Sequence, residues 1–167
     1  MIAVAVITIS DAASAGTRSD ASGPALRDRA AELGWEIRTS RVIPDERETI
    51  SRTLMELCQS GVDVILTTGG TGIAPRDVTP EAVCAIADRE IPGFGELMRG
   101  EGRKSTKFAP LSRGGASVRG DVLIVTLPGS PRGAVDSLNA VAELIPHAVD
   151  LLHGRTAHSQ HGSKPAS

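Results

Sequence analysis

Aromatic side chains are scarce in this chain. Phe, Trp and Tyr make up 2% of its 167 residues, and tyrosine is absent. Proteins that bind single-stranded nucleic acid usually stack bases on aromatic rings and surround the backbone with basic side chains. The basic excess is also missing, because the formal net charge is −2. The composition therefore argues against nucleic acid as a partner.

Cysteine and long apolar runs are equally scarce. Cys58 and Cys84 are the only cysteines, and each lies on an apolar helical face. This pattern favours buried thiols in a reducing compartment over a disulfide or a zinc site. No segment approaches the roughly 18 apolar residues that a membrane-spanning helix requires, so no membrane partner is expected. The apolar residues 1–9 lack a basic region before them and are typical of a core strand, not of a signal peptide. We therefore expect a cytosolic protein.

Short apolar runs alternate with segments of helical periodicity along the chain. Four runs rich in β-branched side chains lie at residues 2–9, 35–43, 62–66 and 122–127. The alternation predicts an α/β three-layer sandwich with a mostly parallel sheet. Arg119-Gly120-Asp121 separates two apolar segments, which predicts a small tight hairpin.

The domain organisation follows from length and from the polarity of the last residues. The length is that of one domain, which we expect to span residues 1–155. Residues 156–167 are polar, and we expect a flexible tail there. The four histidines lie at positions 147, 153, 158 and 161 and fit either a metal site or a loose C-terminal portion.

The stretch from Val62 to Ala82 combines a buried-strand pattern, a glycine loop and the start of a helix. Gly69-Gly70-Thr71-Gly72 lies in this loop, and Thr79 and Pro80 resemble an N-cap and a first helical position. Glycines let backbone N–H groups approach a phosphate closely, and a helix N-terminus favours negative charge. The stretch predicts a phosphate site, although a plain surface turn has similar composition.

One residue of each charge, Arg76 and Asp77, stands inside the same loop. A carboxylate that faces phosphates is unfavourable unless a cation lies between them, so Asp77 suggests Mg²⁺. The alternative is that Asp77 only caps N–H groups of a turn. The loop is not a Walker A loop, since no Gly-Lys-Ser/Thr follows, and it lacks the GxGxxG pattern of dinucleotide-binding folds.

Three further predicted strands end in polar loops, which a parallel sheet would gather at one rim. The candidate residues in these loops are Ser10, Asp20, Ser22, Asp45, Gly129, Ser130 and Arg132. Asp20 and Ser22 fit helix capping or ligand binding equally. Asp45 resembles the first residue of a capping box with Glu48, so a structural role alone would explain it. No Ser-His-Asp or Cys-His arrangement is evident, and the residues suit metal-assisted transfer of a phosphorus group.

The basic segment at residues 103–107 also has two interpretations. A charge run is usually a solvated face. Because glycines flank this one, it also fits a loop that closes over an anionic ligand.

The glycine-loop sequence TTGGTGIAPRDVTPEA resembles the signature of the molybdenum-cofactor biosynthesis family. That family includes the bacterial Mog and MoaB proteins and the G domains of plant Cnx and animal gephyrin. The segments SDAASAGTRSDASGPAL, VIPDE and LPGSPRGAVDSL extend the resemblance over residues 2–158. The resemblance is weakest at residues 100–118.

The resemblance implies molybdopterin adenylyltransfer, in which the terminal phosphate of molybdopterin attacks the α-phosphate of ATP and pyrophosphate leaves. Asp45 and Asp77 match two aspartates of the family, which implies that both are catalytic and hold Mg²⁺ against the triphosphate. The Gly69–Gly72 loop would cradle a nucleotide phosphate, and the first and last loops would bind the remainder of the nucleotide or the pterin. A homotrimer is also implied, and a separate molybdate-insertion protein is a candidate partner.

Two alternatives of other functional classes stay open. Some family members of the MoaB branch keep the fold without activity and would be molybdopterin-binding proteins. Loss of the acid at the position of Asp45 would signal such a protein, and here the acid is present. The second alternative is a nucleotide pyrophosphatase domain like that of the CinA-like proteins, whose chains are usually longer and carry an amidase domain.

Overall fold

A computed structural model describes residues 1–155, and the predicted tail with His158 and His161 lies outside the described residues. The strands are β1 (Ala3–Ile9), β2 (Glu36–Ile43), β3 (Val64–Thr68), β4 (Arg89–Ile91), β5 (Gly115–Arg119) and β6 (Val122–Leu127). The helices are α1 (Asp11–Ser14), α2 (Ser22–Glu32), α3 (Arg47–Cys58), α4 (Thr79–Cys84), α5 (Pro92–Gly102), α6 (Pro131–Val141) and α7 (Leu144–Leu152). A 3₁₀ turn lies at Ala109–Leu111.

The strands of the described residues form one six-stranded sheet in the order β2-β1-β3-β6-β5-β4. The pairs β1–β2, β1–β3 and β3–β6 are parallel, whereas β5 pairs antiparallel with both of its neighbours. The predicted α/β fold with a mostly parallel sheet is confirmed. The predicted hairpin joins β5 to β6, and its turn uses Gly120 at a φ of +58°.

Each face of the sheet packs against its own layer of helices. On one face, side chains of β1, β3 and β6 pack with α2, α5, α6 and α7, for example Val6 and Leu66 with Leu138. On the other face they pack with α3 and α4, as Ile7 and Ile65 do with Leu54. These three strands are buried on both faces, and this explains why they are continuous apolar runs in the sequence.

Helix α5 differs from the expectation of an irregular connection with a short helix at its centre. It runs through four glycines, which are poor helix formers. Phe94 and Met98 lie one helical turn apart and are both buried in the core. Tertiary packing therefore overrides the local propensity here. Strand β4 was not predicted, because three residues are too few to reveal a periodic pattern.

The two cysteines lie in different environments. Cys58 is half-buried, whereas Cys84, at the end of the six-residue helix α4, is exposed. The prediction of a buried thiol is therefore wrong for Cys84. Within residues 1–155, every helix is too short or too polar to cross a bilayer.

Candidate active site

The loops that follow β1, β2, β3 and β6 meet at the carboxyl end of the sheet around a cavity of about 250 Å³, here called the smaller cavity. The predicted site residues in its lining are Ser10, Asp20, Ser22, Asp45, Gly69, Gly70, Asp77 and Gly129. The fold thus brings together side chains that lie far apart in the sequence. Thr71 is buried in the loop behind this cavity, and Gly72 packs against the Asp77 carboxylate.

A larger cavity of about 380 Å³ lies next to the first. The loop from Pro128 to Gly133 separates them, and its residues alternate between the two. Gly129 and Pro131 line the smaller cavity, whereas Ser130 and Arg132 line the larger one. The predicted site residues are therefore distributed over two adjacent cavities.

Asp45 forms a reciprocal pair with Asp11. The Asp11 N–H donates to Oδ2 of Asp45 at 2.9 Å, and the Asp45 N–H donates to Oδ1 of Asp11 at 3.0 Å. Helix α3 begins at Arg47, with Glu46 as an N-cap that makes no side-chain bond. The capping-box interpretation of Asp45 is thus wrong, because its carboxylate turns away from α3 and ties the loop after β2 to the loop after β1.

Negative charge accumulates at this rim. Arg76 Nη2 lies 2.6 Å from Oδ2 of Asp11, and this hydrogen bond lowers the pKa of Asp11. Burial is the largest cause that raises the pKa of Asp45, and the charges of Asp11 and Asp77 raise it further. Three carboxylates thus share the rim, and Arg76 forms its ion pair with Asp11 alone, an imbalance that a bound cation would relieve.

Glycine is required at the start of the loop after β3 because other chain segments approach it closely. Gly69 has a φ of +104°, and a Cβ atom there would lie 2.1 Å from the Ile9 carbonyl oxygen. Gly70 has a φ of +66°, and its Cβ would lie 2.3 Å from Oγ1 of Thr79. Thr79 is not the N-cap of α4 but its first residue, and its hydroxyl donates to the Gly69 carbonyl at 3.0 Å.

The backbone N–H groups of this loop divide into engaged and free ones. The Gly69 N–H donates to the Leu127 carbonyl at 3.1 Å, so it is used by the sheet. The next three N–H groups, those of Gly70, Thr71 and Gly72, donate to no atom within residues 1–155. Successive free N–H groups in a loop that starts with two glycines of positive φ are what an anion-binding loop offers.

Asp20 has a complete structural role. Its carboxylate accepts hydrogen bonds from the Thr8 hydroxyl at 2.7 Å and from the Gly23 N–H at 3.0 Å, which caps the first turn of α2. Ser10 and Ser130 cap in the same manner, since their hydroxyls accept from the N–H groups three residues later. These three residues line the cavities and also shape the loops that form them.

Sequence reasoning did not single out Asp11 as a site residue or give Arg113 a structural role. Asp11 stands directly after a predicted strand, a position that could have drawn attention to it. Arg113 contacts Gly72 and Asp77 across sequence separations of 41 and 36 residues, and no local pattern reports such contacts.

Comparison with known proteins identifies the family. A protein-family profile described as "Probable molybdopterin binding domain" matches residues 5–147. The chain belongs to the molybdenum-cofactor biosynthesis family. It is 40% identical over 161 residues to the molybdopterin adenylyltransferase of Helicobacter pylori strain J99, covering 92% of this chain and 89% of that protein. It is also 40% identical over 167 residues to the Escherichia coli K12 protein of the same name, covering 90% of this chain and 85% of that protein.

A solved structure agrees with this assignment. The molybdopterin biosynthesis enzyme MoaB from Thermus thermophilus matches with a TM-score of 0.86 at 46% identity, covering 92% of this chain and 98% of that chain. The family predicted from the glycine loop is confirmed. The names of the curated relatives also bear out the predicted enzyme class, a nucleotidyltransferase of molybdenum-cofactor biosynthesis.

Proposed function

We propose that the chain is a molybdopterin adenylyltransferase that transfers AMP from Mg-ATP to molybdopterin. An oxygen of the terminal molybdopterin phosphate forms a bond to the α-phosphorus of ATP. The bond from that phosphorus to the bridging oxygen breaks, and pyrophosphate leaves with the electron pair. One observation carries the proposal: free backbone N–H groups and two aspartates lie together at the junction of two cavities.

The residues of the smaller cavity suit the triphosphate. The free N–H groups of Gly70, Thr71 and Gly72 would donate to phosphate oxygens, and a direct transfer needs no covalent bond to the protein. Most of the rate enhancement in such a transfer comes from positioning and from charge stabilisation. The absence of an evident acyl-transfer nucleophile from the sequence is consistent with this mode of catalysis.

The aspartates of the smaller cavity fit a magnesium ion. One oxygen of each carboxylate accepts an N–H group, from Asp11 to Asp45 and from Ala74 to Asp77. The other oxygen of each has no hydrogen-bond donor within residues 1–155. No cluster of three or more acidic, histidine or cysteine ligands occurs in that part of the chain. Two carboxylates with substrate phosphates and water are the usual donors for Mg²⁺, which when bound would neutralise triphosphate charge.

The larger cavity suits the second substrate. Ser130 and Arg132 line it beside apolar side chains such as Met98 and Phe108. Apolar walls with a few polar groups are typical of sites for small molecules with ring systems. Molybdopterin bound there would lie across the Pro128–Gly133 loop from the nucleotide, so that its phosphate and the α-phosphate of ATP could meet.

The experiment that tests this function is a measurement of pyrophosphate release from Mg-ATP, with and without molybdopterin. We expect release that requires molybdopterin and that falls by about 100-fold or more in Asp77→Asn, since a positioned charge is lost. Asp45→Asn should fall as well. Asp28→Asn is the matched control, because Asp28 is exposed on α2, away from the site.

The other outcomes identify the alternatives. A wild-type protein that binds molybdopterin but releases no pyrophosphate would be a binding protein of the MoaB branch. Pyrophosphate release that does not depend on molybdopterin would instead indicate a nucleotide pyrophosphatase. Equal rates for Asp45→Asn and wild type would remove Asp45 from the reaction.

Several further expectations accompany the proposal and stay predictions. They are a homotrimer, a cytosolic location and cooperation with a protein that inserts molybdate. Molybdopterin and ATP are the expected small-molecule partners, and the names of the curated relatives support them.

A further inference from the structure

Arg113 makes four hydrogen bonds to the segment that contains the glycine loop. Its backbone N–H donates to the Thr71 carbonyl at 2.7 Å. Its guanidinium donates through Nε to the Gly72 carbonyl at 2.8 Å and through Nη2 to the Asp77 carbonyl at 2.7 Å. The remaining bond joins Nη1 to the Glu81 carboxylate. One side chain thus holds both ends of the loop over residues 72–77.

The loop has few other connections. Within it, Asp77 and Ala74 exchange two hydrogen bonds, and the Thr79 N–H donates to the Gly70 carbonyl. Ile73 at its tip is 68% exposed, so no apolar packing fixes that residue. A segment with so few buried contacts is expected to open easily unless a side chain from another element restrains it.

The base from which Arg113 reaches is itself held rigidly. The carbonyls of the residues on either side, Ser112 and Gly114, accept hydrogen bonds from Nη1 of Arg99 at 3.3 and 3.0 Å. Arg99 fits there because residue 95 is glycine, since a Cβ would lie 2.8 Å from both Arg99 Nη atoms. Arg99, Ser112 and Gly114 also line the larger cavity.

We propose that Arg113 is a positioning residue that sets the geometry of the glycine loop and of Asp77 from the wall of the larger cavity. The inference rests on the proposed function for its kinetic consequence, but not for its structural one. The guanidinium is suited to this role because its planar fork donates in three fixed directions at once. Lysine cannot reproduce that geometry, although it would keep the charge beside Glu81.

The first test is hydrogen exchange in peptides that cover residues 70–78. Arg113→Lys and Arg113→Gln should each exchange about 10-fold or more faster there than wild type, because the restraint on the loop is removed. Arg119→Gln is the matched control. Arg119 also donates to a backbone carbonyl, that of Ile86, but at the opposite end of β5. It should leave the exchange of residues 70–78 unchanged.

The second test is binding of α,β-methylene-ATP with and without Mg²⁺, measured by calorimetry. We expect the magnesium-dependent affinity to fall by about 10- to 100-fold in both Arg113 variants, as is typical when a group that orients a ligand is lost. In turnover the same variants should raise KM for Mg-ATP or lower kcat without a matching change in KM for molybdopterin. A merely structural residue would not produce that division.

The two tests separate the possible failures. Exchange of residues 70–78 that is the same in both Arg113 variants as in Arg119→Gln overturns the inference. If Arg113→Gln does not fold, Arg113→Lys alone decides in the same manner. A wild-type protein that binds no magnesium nucleotide contradicts the proposed function, while the exchange comparison still decides whether Arg113 positions the loop.

Discussion

The two ends of the sheet treat polar groups in opposite ways. At the amino end, Asp63 accepts from the Ala3 N–H at 2.7 Å and contacts Nε2 of His153 at 3.3 Å, and Asp88 accepts from the Gly120 N–H at 2.7 Å. At the carboxyl end, three backbone N–H groups and one oxygen each of Asp45 and Asp77 have no partner among the described residues.

The difference separates structural polar groups from groups that are available to a ligand. Buried polar groups in a folded domain are normally paired, so partners left free at one rim indicate a site. The raised pKa of Asp45 belongs to the same picture, since burial and neighbouring carboxylates disfavour its charge until a cation arrives. Variants at both ends of the sheet can test this contrast.

The largest expected effect comes from the glycine where β3 meets the carboxyl rim. Gly69→Ala should lower the free energy of unfolding by more than about 3 kcal/mol, because the new methyl group would overlap a backbone carbonyl and φ is positive. Gly61 precedes β3 at the amino end, also has a positive φ and has nothing within 4 Å of a Cβ. Gly61→Ala should therefore lower it by only about 1 kcal/mol. Urea unfolding of both variants measures the difference, and equal values would contradict the close approach at Gly69.

The second prediction concerns the paired carboxylate of the amino end. Asp63→Ala should lower the free energy of unfolding by about 1–3 kcal/mol, because the Ala3 N–H loses its acceptor in a partly buried position. Urea unfolding measures this loss. The folded variant should keep the wild-type rate of pyrophosphate release. A selective loss of activity in a stable Asp63→Ala protein would break the contrast between the two ends.

The third prediction is that the carboxyl rim is more stable without one of its charges. Since the folded-state pKa of Asp45 is raised, the ionised carboxylate destabilises the fold above that pKa. Asp45→Asn should raise Tm at neutral pH by up to about 3 °C, a small effect because the group is partly solvated. The gain should vanish as the pH falls below the ordinary pKa of an aspartate. Thermal unfolding at several pH values checks this, and a lower Tm for the variant at neutral pH would contradict it.

The smallest effect is expected at Arg76, the cation that pairs with one of the three rim carboxylates. Its ion pair with Asp11 is exposed, so Arg76→Gln should change the free energy of unfolding by no more than about 1 kcal/mol. The apparent affinity for Mg²⁺ in the nucleotide complex should change by less than that of Asp77→Asn. Titration of both variants with Mg²⁺ tests this order, and a reversed order would assign Arg76 a larger role than the rim charge suggests.

The layered fold could be predicted because its signals are local. Continuous apolar runs mark β1, β3 and β6, and the loops after parallel strands must share an edge. The sequence also identified Asp77 and the glycines beside it. It did not reveal that Asp45 pairs with Asp11 or that Arg113 holds the loop, because these contacts join residues more than 30 positions apart. Helix α5 was missed for the same reason, since its stability comes from packing and not from propensity.

The measurement that tests the central claim most directly is a crystal structure of the chain with Mg²⁺ and α,β-methylene-ATP. The account predicts phosphate oxygens within hydrogen-bond distance of the N–H groups of Gly70, Thr71 and Gly72, with the cation in contact with Asp45 and Asp77. A nucleotide bound elsewhere, with those N–H groups still without a ligand, would contradict it.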